Sequence, residues 1–128
     1  MTRVLLADDD ANVVEVLQAN LEAEGYEVLV AADGNQAWAL IASEEPDLVI
    51  LDVMMPGRDG LDLLAAVRDD DRTRDLPVVL LTARAGDEEI WAGWQAGANY
   101  YLTKPFDIEQ LLQYLRYLTG EESVTLPG

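Results

Sequence analysis

Three observations predict an α/β fold, a doubly wound parallel sheet of five strands and five helices. Short apolar runs alternate with stretches of helical spacing along the whole chain, the pattern of repeated βα units. The runs are apolar at successive rather than alternate positions, which fits strands covered on both faces. Three of them end in polar groups: Val4 to Ala7 at Asp8, Asp9 and Asp10, Val49 to Leu51 at Asp52, and Val78 to Leu81 at Thr82. If the strands are parallel, those groups share the carboxyl edge of the sheet, where open α/β folds place their sites.

Val4 to Ala7 is the first strand. Val14, Leu17 and Leu21 then recur at helical spacing until Gly25 supplies a stop. Val28 to Ala31 is the second strand, after which Asp33 can cap a helix that buries Ala37, Trp38 and Ile41 and ends at Glu44-Glu45-Pro46. Leu48 to Leu51 is the third strand. Pro56-Gly57-Arg58-Asp59-Gly60 has loop composition, and Leu61, Leu64 and Val67 follow at helical spacing. The run Asp69 to Asp75, acidic with two arginines, is a solvated connection. Val78 to Leu81 is the fourth strand, and a helix from about Asp87 to Ala96 carries Ile90, Trp91 and Trp94 before Gly97 stops it. Tyr100 to Leu102 is the fifth strand, and Leu111, Leu115 and Leu118 mark the last helix. Gly120 to Gly128 reads as a short frayed tail, so that helix either ends a standalone protein or marks where a larger chain was cut.

At 128 residues, half of them apolar, the chain fits one domain with a real core. A formal charge of −17 with only eight Lys and Arg argues against direct nucleic-acid contact by this segment, because such binders need clustered cations. Cysteine and histidine are both absent, which removes disulfides, thiolate and imidazole ligands, and His-based acid/base catalysis. Any chemistry must run on carboxylates, hydroxyls, Lys and Arg. No apolar run reaches membrane-spanning length and no signal peptide opens the chain, so the expected location is cytoplasmic, with no membrane partner.

Lys104, after the fifth strand, adds a cation to the carboxyl edge. Acids that can hold a metal, an acid that can react, and a hydroxyl and an ammonium that can grip an anion together point to phosphoryl chemistry. The segments Val4 to Asp10, Asp47 to Gly57, Leu80 to Ala83 and Gly97 to Phe106 resemble, in order and spacing, the receiver domains of two-component response regulators. The resemblance runs to Leu118 and implies a CheY-like (flavodoxin-like) strand order 2-1-3-4-5, with residues 1–119 as the receiver domain and 120–128 as the tail.

Residue by residue, the resemblance implies that Asp52 is the phosphoacceptor. Asp9 would bind Mg2+ directly, Asp8 through water, and Asp52 with the backbone carbonyl of Met54 would complete the protein ligands, with Mn2+ as a workable substitute. The donor set suits Mg2+, which prefers oxygen and keeps several waters. Thr82 and Lys104 would grip the phosphoryl oxygens, and Thr82 with Tyr101 would form the switch. Met54 and Arg84 hold the positions that tune phosphoryl lifetime in the family, and Lys104-Pro105 is usually a cis peptide there. The implied phosphoryl donor is a sensor histidine kinase or a phosphotransfer domain, docking near the first helix and the Pro105-Phe106 loop. The downstream target would be a further protein. Asn99-Tyr100 stands where a dimerising branch of transcription factors often has Asp-Asp, and Gln110 and Tyr114 replace its typical Glu and Arg, so those ion pairs cannot form here.

Plainer readings compete at each position. Asp8, Asp9 and Asp10 could all cap the first helix; Asp10 suits that role, while Asp8 and Asp9 converge with Asp52, Thr82 and Lys104. An EF-hand loop fails, because Val13 stands where glycine is needed and Ala19 where Glu should close it. Asp52 could be a strand-end turn former, Thr82 an ordinary strand residue, Lys104 a solvated charge and Tyr101 half-buried packing. Trp91 and Trp94 could form a partner surface or pack on the sheet. As whole functions, an Asp-nucleophile phosphatase would need a carboxylate where Met54 stands, and a phosphorylation-independent interaction domain would be suggested by loss of Asp52 or Lys104, both of which are present. The expected function is a phosphoacceptor switch that catalyses only its own phosphorylation and dephosphorylation, and is not otherwise an enzyme.

Overall fold

The computed structural model describes residues 2–83, 92 and 94–120. Five parallel strands, β1 (Arg3–Ala7), β2 (Glu27–Ala31), β3 (Leu48–Asp52), β4 (Val78–Thr82) and β5 (Tyr100–Thr103), form one sheet in the order β2-β1-β3-β4-β5. Four helices lie among the described residues: α1 (Ala11–Ala23), α2 (Gly34–Glu44), α3 (Gly60–Asp69) and α4 (Ile108–Leu118). The helix expected near Asp87 to Ala96 lies mostly outside them. Its end is visible where Ala96 N–H donates to the Ala92 carbonyl at 2.9 Å and Gly97, at φ +99°, donates to Trp94 at 3.1 Å.

The successive apolar residues feed two cores. Leu5, Ala7, Val49, Leu51, Val78 and Leu80 face α2 and α3, through Ala37, Ile41, Leu64 and Val67. Their neighbours Val4, Leu6, Leu48, Ile50, Val79 and Leu81 face α1 and α4, through Leu17, Leu21, Leu111 and Leu115. Both faces are therefore dry, as the unbroken apolar runs required, and each fully buried leucine contributes about 2 kcal/mol of hydrophobic transfer.

Helix starts follow from aspartates. Asp10 Oδ1 accepts from Asn12 and Val13, Asp33 from Gln36, Asp59 from Asp62 and Asp107 from Glu109, caps worth about 1 kcal/mol each. Trp38, expected inside, is only partly buried and carries the Arg58 guanidinium 5.6 Å from its ring centroid. No helix among the described residues is long and apolar enough to cross a membrane.

Candidate functional site

The strand order reverses between β1 and β3, whose neighbours lie on opposite sides, and this switch point opens a crevice at their carboxyl ends. Asp8 follows β1 there, and Asp52 closes β3. Both are almost fully buried, at 2% and 6% exposure, while Asp9 is exposed. One carboxylate oxygen from each of Asp8, Asp9 and Asp52 lies within 4.8 Å of the others. Like charges so close would repel, and Lys104 answers them: its Nζ donates to Asp8 Oδ2 at 2.8 Å and to Asp52 Oδ2 at 3.0 Å.

The remaining oxygens are held by backbone. Met54 N–H donates to Asp52 Oδ1 at 3.0 Å, and Asp10 N–H donates to Asp8 Oδ1 at 2.9 Å. Burial is the main cause of an Asp52 pKa above its ordinary value; the Met54 N–H and Lys104 oppose it, and the Asp8 charge adds to it. For Lys104, burial is the largest single effect and works against its charge, but hydrogen bonds to Asp8 and Asp52 outweigh it and hold the ammonium above its usual range. Lys104 is thus a firmly charged cation fixed between two acids.

Thr82 is fully buried at the end of β4, and Lys104 N–H donates to its carbonyl at 2.7 Å. Tyr101 lies opposite Leu80, and both side chains belong to the α2/α3 core. Strand alternation puts Thr82 on that same face, two positions on. The Lys104-Pro105 peptide is cis. Met54 exposes its side chain at the rim, with 51% of its surface in solvent. Arg84 and Trp91 lie outside the described residues; Trp94 is 46% exposed.

Two contributors escape sequence reading. The Met54 amide is one, since a backbone donor has no residue signature. Gly60 is the other: its N–H donates to the Val53 carbonyl at 2.9 Å, and a Cβ there would sit 2.5 Å from the Asp52 carbonyl oxygen and 2.8 Å from the Val53 Cα. The start of α3 thus presses directly on the strand end that carries Asp52. Gly60 in the loop-like run after Pro56 was the available hint.

Three carboxylates facing one ammonium leave two negative charges, all on oxygen, around a spot open to solvent at Asp9. That donor set fits a small divalent cation that keeps part of its water.

A parallel sheet with an acid trio and a bridging lysine at its switch point defines an acid-centred, cation-assisted site of the phosphoryl-handling kind. The response regulator receiver domain model matches residues 4–116, and the chain belongs to that family, whose standard role is to accept a phosphoryl group from histidine kinases in two-component signalling. The chain is 48% identical over 116 residues to the response regulator MprA of Mycolicibacterium vanbaalenii, covering 91% of this chain and 49% of that protein. It is 42% identical over 118 residues to the DNA-binding dual master transcriptional regulator RpaA of Synechocystis, covering 92% and 49%. It therefore spans about half the length of these curated relatives. The chemotaxis response regulator CheY4 of Vibrio cholerae superposes with a TM-score of 0.85 at 35% identity, covering 92% of this chain and 98% of that one.

Proposed function

We propose that this chain is a Mg2+-dependent phosphoacceptor switch with Asp52 as the acceptor. One observation carries the reading: a single ammonium, 52 positions from Asp52 and 96 from Asp8 along the chain, bridges both buried carboxylates. A structural ion pair needs one acid; a lysine shared by two, beside a third, is arranged for an incoming dianionic phosphoryl group.

Asp52 Oδ2 attacks the phosphorus of a phosphohistidine on the kinase or phosphotransfer partner. The P–N bond breaks, its electron pair stays on the imidazole, and the acyl phosphate O–P bond forms. The Met54 N–H keeps Oδ1 in place through the attack. Lys104 transfers its hydrogen bond to a phosphoryl oxygen as a point charge, and the Thr82 hydroxyl donates to another. Asp8 and Asp9, with Asp52 and the Met54 carbonyl, would hold Mg2+ (or Mn2+), which supplies charge neutralisation for phosphoryl transfer.

Thr82 drawn toward the phosphoryl group leaves space on the face it shares with Tyr101, and inward rotation of that ring changes the outer surface of β5; this is a two-state element biased by local charge. Water attacking the same phosphorus would reverse the modification, with Met54 and Arg84 tuning the rate. The domain occupies residues 1–119 and acts in the cytoplasm on a downstream protein.

Intact mass after incubation with acetyl phosphate tests this. One phosphoryl adduct is expected, dependent on Mg2+ and lost in Asp52→Asn. Equal adduct on that variant, or none on the parent chain in a rapid quench, contradicts it.

A further inference from the structure

A cavity of about 300 Å3 opens at the opposite pole of the sheet, under the segments that lead into β3 and β4. Its apolar wall includes Trp38, Ile41, Pro46, Leu76 and Pro77. Its rim carries five acids, Glu45, Asp47, Asp70, Asp71 and Asp75, against one cation, Arg72. Three of the acids are engaged: Asp70 by Arg72 at 3.0 Å, Asp71 by Arg74, and Asp47 by the Arg3 N–H at 2.8 Å. The Glu45 and Asp75 side chains are exposed and make no hydrogen bond or close ion pair among the described residues, although Glu45 feels the charge of Arg72 and Asp75 that of Arg68. Trp38 already seats one guanidinium, that of Arg58, so its ring serves as a cation platform in this fold.

An apolar wall under open carboxylates selects an occupant with a hydrocarbon body and a positive head. Arginine fits best, because its stem packs on apolar surface while its planar fork pairs with carboxylates and stacks on indole. The volume, at the low end for ligand sites, takes one or two side chains rather than a folded element. A chain of charge −17 also steers basic partners toward it.

We propose that this cavity docks an arginine-bearing segment of a partner protein, with the guanidinium set between Glu45 and Asp75 and its stem against Trp38 and Ile41. Lying at the far pole, it leaves Asp52 accessible, and the docking needs neither Mg2+ nor a phosphoryl donor.

The test is a 15N NMR titration of the whole chain, at physiological salt without Mg2+, with an acetylated and amidated Ala-Arg-Leu-Arg-Ala peptide. Saturable shifts are expected at the Trp38 indole N–H and at the amides of Ile41, Glu45 and Leu76. They should vanish when citrulline replaces arginine, and binding should weaken about tenfold in Glu45→Gln/Asp75→Asn, the scale of one charge-assisted hydrogen bond. A control, Asp62→Asn/Glu109→Gln, makes the same net-charge change on remote positions and should bind as the parent does. Equal weakening in the control, shifts spread over the whole acidic surface, no shifts at all, or equal binding of spermidine at the same residues would each overturn the assignment.

Discussion

At the residue scale the account turns on how Asp52 is held. Its pKa is raised, chiefly by burial, so the folded chain binds that proton more tightly than the unfolded chain does. The sign follows: Asp52 costs nothing below its ordinary value of about pH 4, and the cost grows as pH rises through the folded value. Asp52→Asn should therefore melt higher than the parent at pH 7 while the difference shrinks toward pH 4; thermal melts across that range check it, and a variant that melts lower at pH 7 would contradict it. Lys104→Ala should do the reverse, leaving two buried acids without their cation at a cost of about 1–3 kcal/mol, measurable by urea unfolding at neutral pH. It should also raise Asp52 further and slow phosphorylation. These polar side chains stood out in the sequence because aspartate, threonine and lysine at the ends of apolar strands converge on one edge of the sheet. Tyr101 was not separable from packing by residue type, and only the family resemblance singled it out.

At the element scale, close backbone approach frames the site, and a partly buried guanidinium ties down the opposite ends of β4 and β5. Gly60→Ala would drive a methyl into the Asp52 carbonyl, so it should cost about 1–3 kcal/mol through overpacking and also reduce phosphoryl uptake by moving the end of β3. Arg68 is the second tie: its guanidinium donates to the carbonyls of Gly97, Arg74 and Leu76 and to Asn99 Oδ1, at 2.6 to 3.1 Å. Asn99 Oδ1 in turn accepts from Val78 N–H at 2.8 Å. Arg68→Met should lose about 2–3 kcal/mol by leaving those acceptors without their charged donor, read by chemical denaturation. Every strand was legible to within one residue, but Asp52 and Thr82 prove to be inside the ladder, Asp52 opposite Leu81 and Thr82 opposite Thr103. A polar residue reads as a strand end, although its backbone goes on pairing. The caps at Asp33 and Asp10 were visible ahead of clear helical periodicity; those at Asp59 and Asp107 were hidden in loop-like Pro and Gly surroundings. Arg68 and Asn99 were silent, since their roles depend on tertiary neighbours.

At the scale of the whole molecule, helical and strand periodicity gave the layers, but neighbour order in the sheet came from the family resemblance, because periodicity does not say which strands pair. The outer face of β5 and α4 shows a further consequence of the sequence: Tyr100 stacks on Tyr114 with centroids 3.9 Å apart and rings 3° from parallel, and Gln110 donates to the Tyr114 hydroxyl at 2.9 Å. An aromatic stack thus occupies Tyr100 and Tyr114, two positions that the family resemblance assigns to ion-pairing residues in its dimerising branch. Electrostatics also act globally, since a small divalent cation should relieve the most crowded acids of a strongly acidic chain. Mg2+ at a hundred times its dissociation constant should stabilise the fold by about 2.7 kcal/mol, and Asp9→Asn should remove most of that gain in calorimetric melts. The most direct test of the central claim is to reduce the acetyl phosphate-treated chain with borohydride, which converts an aspartyl phosphate to homoserine, and to sequence the peptides by tandem mass spectrometry. The account predicts homoserine at position 52 alone and only when Mg2+ is present; homoserine at position 8 or 9 instead, or none from a chain that has gained phosphoryl mass, would contradict it.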